Sequence, residues 1–139
     1  MITGKELGCK VLQHVVVEHP EQHDNSFWVS GSPATDLCGT IACLAGWTVL
    51  LNREEGETTH ATLYRLAGEL GVVSDWESVA VKLLLPANPL ALNEDGDGEE
   101  YYEYDDQQRA LSSAFYTGGD NQEAIEQFAE ALGLDIPEA

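Results

Sequence analysis

The sequence predicts an all-α fold: a single compact domain over residues 1–139, with five to six short helices around a central apolar helix at about 40–51. Three observations predict it. Apolar residues recur at spacings of three and four in successive segments. Capping signatures open several of those segments. No alternating run reads as a β-ladder. The length suits one domain that buries about two-thirds of its unfolded surface, and 43% hydrophobic residues are enough to build its core.

Thr3-Gly4-Lys5-Glu6 reads as a capping box, and Leu7, Val11, Leu12, Val15 and Val16 then share one face of a helix running to about Glu18. His19-Pro20 stops it, because the residue before proline is pushed out of the helical region. His14, His19 and His23 read as solvent-facing residues at that helix end. Residues 20–39 form a long connection, with Phe27-Trp28-Val29 as a short extended segment and Gly31-Ser32-Pro33 as a turn. Thr40 is the expected N-cap of the central helix, whose buried stripe is Ile41, Leu44, Trp47, Leu50 and Leu51. Cys43 and Trp47 share a face there, and Ala42, Ala45 and Gly46 allow close approach of a neighbouring backbone.

Thr58 or Thr59 caps a third helix carrying Leu63, Leu66, Ala67 and Leu70, with Gly71 as a left-handed C-cap. Ser74-Asp75-Trp76-Glu77 reads as a second capping box, opening a helix over Val79, Val81, Leu83 and Leu84 that Pro86 stops. The Pro86 to Pro89 segment is a rigid spacer. Residues 93–106 read as an acidic loop, with eight carboxylates between 94 and 106 and no base. Asp105 caps a helix to about Tyr116 that carries Ala110, Leu111, Ala114 and Phe115. Beyond the Gly118-Gly119 break, Asp120 to Glu123 is a third box, opening a helix over Ile125, Phe128, Ala129 and Leu132 to Gly133. The tail from Leu134 is expected to fray. The expected core is Cys43, Leu44, Trp47, Leu66, Leu70, Leu84, Phe115 and Phe128.

Charge is the outlier. Twenty-five Asp and Glu stand against 6 Lys and Arg, a formal net charge of −19. Six scattered bases cannot neutralise a run of phosphates, so direct nucleic-acid binding is excluded. The field repels anionic membranes and attracts basic proteins or divalent cations. No apolar run approaches 18 residues, and no secretory signal opens the chain. Three cysteines at uneven positions, Cys9, Cys38 and Cys43, are not a disulfide framework and suit a reducing cytosol. A cytoplasmic protein without membrane contact is expected.

Four constellations bear on chemistry. Cys38-x4-Cys43 with His19 and His23 has the softness zinc needs, but not the spacing of a zinc knuckle. Cys43 falls on an apolar helix face, where cysteine behaves as a small hydrophobe, so the cysteines read as structural. Asn93-x-Asp95-x-Asp97-Gly98 matches the first half of a calcium-binding EF-hand loop. Its twelfth position is Tyr104, with Glu103 one residue early, and Pro86-Ala87-Asn88-Pro89 cannot form the entering helix. Cys38, just before a helix, could carry a lowered thiol pKa for cysteine-dependent catalysis. Nothing singles out its base, since His60 and the three earlier histidines are equally placed. No phosphate-cradling loop, nucleophile elbow or His-Glu-x-x-His occurs, and no cofactor is expected. The fourth is the acidic stretch itself: Glu94, Asp95, Asp97, Glu99, Glu100, Tyr101, Tyr102, Glu103, Tyr104, Asp105 and Asp106. Aromatics favour interfaces and charge steers partners. This face suits a basic groove on another protein and, at the extreme, mimics the phosphate pattern of DNA.

The segment Cys38-Gly39-Thr40-Ile41-Ala42-Cys43-Leu44-Ala45-Gly46-Trp47 resembles a motif of small acidic proteins from actinobacteria and their phages. These read Cys-Gly-Thr-x-x-Cys-x-Ala-Gly followed by Trp or His, then a helix ending before a leucine-rich helix. The likeness covers residues 38 to about 85. It implies an accessory protein and carries over no activity or catalytic residues, since none is assigned to the group. The sequence therefore leads to a non-enzymatic interaction protein of phage type. It would act in the host cytoplasm, where its acidic face would bind a basic surface of a host protein, such as a nucleic-acid-binding one. A zinc- or calcium-binding domain and a cysteine-dependent enzyme are the alternatives. Oligomeric state is not legible.

Overall fold

The computed structural model describes residues 1–25, 42–118 and 120–138. Helix α1 (Gly4–Leu12) follows Thr3, whose side chain makes no capping bond, so the expected box does not close. The helix widens into a π-helix over Gln13–Glu18. There the His19 N–H donates to the His14 carbonyl five residues back, at 2.7 Å. The wider turn sets the His14 and His19 rings 5.1 Å apart, and a 3-10 turn at Pro20–Gln22 ends the segment.

Helix α2 (Leu44–Leu50) is buried along its whole length. It is shorter than expected, and its cap is Cys43, whose Sγ accepts from the Gly46 N–H at 3.4 Å. Thr40 and Ile41, like Cys38 and the Phe27 to Pro33 features, lie outside the described residues. Trp47 is fully buried. Its Nε1 donates to the Gln22 carbonyl at 2.8 Å, and the His14 ring lies 4.1 Å away.

Helix α3 (Thr59–Leu70) is capped by Thr58, which accepts from the Ala61 N–H, and ends on Gly71 at φ 70°. That left-handed backbone favours glycine. Helix α4 (Trp76–Leu84) is capped by Asp75 rather than Ser74. Both Asp75 oxygens are engaged, one by the Ser78 N–H at 2.7 Å and the other by the Ser78 hydroxyl at 3.0 Å. A carboxylate satisfies two donors and complements the positive helix end, which shifts the start by one residue.

Residues 93–106 are not a loop, and the fold is helix-dominated rather than purely all-α. Strands β1 (Ala91–Glu94) and β2 (Glu100–Glu103) pair antiparallel, with Leu92 opposite Tyr102 and Glu94 opposite Glu100. Asp95 organises the connection: its Oδ1 accepts from the Asp97 and Glu99 N–H groups, and Gly98 takes φ 82°. Helix α5 (Asp106–Tyr116) opens with a reciprocal box between Asp105 and Gln108. Helix α6 (Asn121–Leu132) is capped by Asp120 and packs on α5, with the Phe115 and Phe128 rings 6.5 Å apart. The start of the tail is held: the Leu134 N–H donates to the Ala129 carbonyl at 2.9 Å, and its side chain joins Leu132 over Gly8.

One apolar cluster unites all six α-helices. Cys43, Leu44, Trp47, Leu66, Leu84, Phe115 and Phe128 are buried in it, and Leu70 packs half-buried at its margin. A polar knot ties it together. Asn25, 5% exposed, donates through Nδ2 to the carbonyls of Ala114, Phe115 and Thr117 at 2.9, 3.2 and 2.7 Å. Its Oδ1 accepts from the Leu44 N–H. Asn121 closes the knot, accepting from the Asn25 N–H and donating to the His23 carbonyl. One side chain thereby satisfies the end of α5 and the start of α2, where helices leave orphan groups. No helix among the described residues is long and apolar enough to cross a membrane.

Candidate functional site: an acidic, aromatic-walled cleft

The hairpin stands off the N-terminal end of α4 and leaves a cleft of about 470 Å³ between them, open to solvent. That volume lies within the roughly 300–1,000 Å³ of ligand-binding pockets. Strand β2 and the residue after it supply Glu100, Tyr101, Tyr102 and Tyr104, while β1 supplies Leu92. The approach to α4 and its first turn bring Val73, Asp75, Trp76, Glu77 and Ser78, and α5 contributes Tyr116 from its last turn.

The wall is apolar and aromatic where solvent reaches it. Among the described residues eight large hydrophobic side chains are exposed, and four of them, Val73, Leu92, Tyr101 and Tyr116, line this cleft. Such clustering, unlike scattered exposure, makes the cleft the candidate site. Its charge is of one sign. Asp75, Glu77 and Glu100 line it, whereas none of the six lysines and arginines does.

Glu77 is the fixed anion of the site. Its Oε1 accepts from the Ser112 hydroxyl at 2.8 Å and its Oε2 from the Tyr116 hydroxyl at 2.7 Å. It also lies in the first turn of α4, where the helix dipole favours a negative charge. The field is felt by the phenols. Tyr116 presents most of its ring to solvent but tucks its hydroxyl end against Glu77. Burial of that end, together with the hydrogen bond and charge of Glu77, pushes its pKa up to about 12. Tyr104 is driven far above the ordinary phenol range by burial and by the Glu77 and Asp75 charges. Both phenols stay neutral at physiological pH, so their rings serve as uncharged faces beside a fixed carboxylate.

The acidic stretch thus divides by role. Glu100, Tyr101, Tyr102 and Tyr104 reach the cleft. Asp95 is spent on the hairpin connection, and Asp97, Glu99 and Glu94 stand exposed at or beside it. Glu103 accepts from Asn93 at 2.8 Å, Asp105 caps α5, and Asp106 pairs with Arg109 at 2.7 Å. Trp76, Glu77 and Tyr116 were not among the sequence candidates. They come from other segments, and no local pattern joins them to residues 100–104.

Among the described residues the alternative sites do not assemble, and Cys38, which the zinc and thiolate readings need, lies outside them. Cys43 is buried against α2, and burial pushes its thiol up to about 11, the opposite of an activated thiolate. His23 is not solvent-facing: it is 5% exposed, and burial lowers its pKa. His19 instead faces Glu21 at 3.1 Å. Among the described residues no three His, Cys, Asp or Glu side chains form a metal-holding group. The EF-hand comparison fails on architecture, because strands rather than helices flank Asp95 to Glu99 and the Asn93 side chain is turned to Glu103. No protein-family model, curated protein or solved structure matches the chain.

Proposed function

We propose that this is a non-enzymatic interaction protein that docks a positively charged segment of another protein into the cleft between the β-hairpin and α4. One observation carries the reading: four tyrosines, a tryptophan and three carboxylates surround an open cleft that holds no base. Aromatic faces and fixed carboxylates together attract cations and tolerate the apolar stem of a long basic side chain. The −19 net charge steers such a partner from a distance. A side-chain-sized cleft favours capture of basic side chains over imitation of a phosphate ladder. The motif at residues 38–47 supports an accessory role of phage or actinobacterial type in the host cytoplasm, with a basic or nucleic-acid-binding host protein as partner.

Calorimetric titration with a short Arg- and Lys-containing peptide tests this at about 50 and 300 mM salt. Binding should weaken with salt, because screening shortens the reach of the surface field. It should persist in part at high salt, because the aromatic contacts are not screened. Glu100→Gln should weaken it at least about fivefold, roughly 1 kcal/mol at 1.4 kcal/mol per decade. Absence of binding at 50 mM salt, or equal binding by Glu100→Gln, contradicts the proposal.

A further inference from the structure

We propose that the side chain this cleft selects is arginine rather than lysine, an inference that rests on the interaction reading above. Two of the tyrosine hydroxyls are anchored to the wall: Tyr116 donates to Glu77 at 2.7 Å, and Tyr102 accepts from the Val73 N–H at 2.9 Å. Those hydroxyls are thereby held at the wall, and the rings they anchor present flat surface to a guest. The carboxylates differ in the same useful way. Asp75 is consumed by Ser78 in the α4 cap. Glu77 is oriented by two neutral hydroxyls before any guest arrives. Glu100, exposed on the rim, has no side-chain hydrogen bond or ion pair among the described residues.

A guest must then lie flat on aromatic surface and still direct donors to carboxylates at its edge. A guanidinium does both: it is planar, weakly hydrated and carries five in-plane donors. An ammonium is a compact, strongly hydrated point charge, and it would shed water against the exposed Val73 and Leu92 walls without a flat face in exchange. Cation–π contacts likewise involve arginine more often than lysine.

Two peptides of identical sequence and charge, one with arginine and one with lysine at every cationic position, decide the matter by calorimetry at about 0.1 M salt. The arginine peptide should bind at least about tenfold tighter. That ratio should fall below about threefold in Tyr101→Ala, an exposed position whose change leaves the core intact. Equal affinities, a lysine preference, or an arginine preference unchanged in Tyr101→Ala overturns the selection while leaving the interaction reading in place. Failure of both peptides to bind removes the interaction reading itself.

Discussion

Asn25→Asp replaces one amide group at the buried knot and should be among the most damaging single substitutions in the chain. The native amide donates to three carbonyls within 3.2 Å and accepts from the Leu44 N–H at 3.2 Å. A protonated aspartic acid keeps one donor and loses the other, which leaves a buried carbonyl short of a partner at about 1–3 kcal/mol. An ionised one keeps none and sets a negative charge against three carbonyl oxygens. The folded protein therefore holds this acid protonated, with its pKa above the unfolded value of about 3.9. A raised acid pKa gives stability that is present at low pH and lost as pH rises. If the acid stays protonated at pH 7, the loss is about three units at about 1.36 kcal/mol each, or about 4 kcal/mol. The total then reaches up to about 5–7 kcal/mol at neutral pH, against about 1–3 near pH 4. The neutral-pH figure rivals the roughly 5–15 kcal/mol of a whole domain. Urea unfolding of both proteins at pH 4 and 7 measures it. A loss below about 1 kcal/mol at pH 7, or equal losses at both pH values, refutes the knot's assigned role.

Three further outcomes follow from other contacts. Trp47→Ala should cost about 3–5 kcal/mol in urea unfolding, since it empties the centre of the core and removes the indole hydrogen bond to the Gln22 carbonyl. Glu57 accepts Arg65 Nε and Nη2 at 2.8 and 3.0 Å, and that pairing holds its carboxyl down at about 2. Its contribution is complete above the ordinary value of 4.5 and is lost as pH falls toward 2. Glu57→Gln should thus cost about 1 kcal/mol, as partly exposed pairs do, in melts at pH 6, and progressively less as the pH is lowered toward 2. At pH 7.5 an alkylating reagent should modify exposed Cys9 in the native protein but buried Cys43 only after denaturation. Equal native labelling of the two, read by peptide mass spectrometry, would contradict the packing of α2.

Local signals in the chain carried the helices well. Thr58, Gly71, Asp105, Asp120 and Gly133 all cap where their residue type and spacing place them, because capping is settled within four residues. The hairpin escaped for a physical reason. Strand β1, Ala-Leu-Asn-Glu, holds no strong strand former, the pairing sets Glu94 against Glu100, and Tyr101 and Tyr102 alone favour a strand, too short a signal to read as a ladder. The tyrosines at 101, 102 and 104 stood out in the sequence as candidates, but the cleft they line did not. It exists only where residues 73–78, 92 and 116 meet them, and no periodicity links those segments. Asn25 was equally invisible, since the carbonyls it bonds lie 89–92 residues away in sequence.

The central claim is that cations are captured in the cleft and not over the acidic surface at large. Amide chemical-shift mapping during titration with an arginine-rich peptide tests it most directly. The account predicts saturable shifts centred on Val73, Trp76, Glu77, Tyr101, Tyr102 and Tyr116. Shifts concentrated at Asp95 to Glu99 on the hairpin tip, or spread evenly over the carboxylates of α3 and α6, would contradict it.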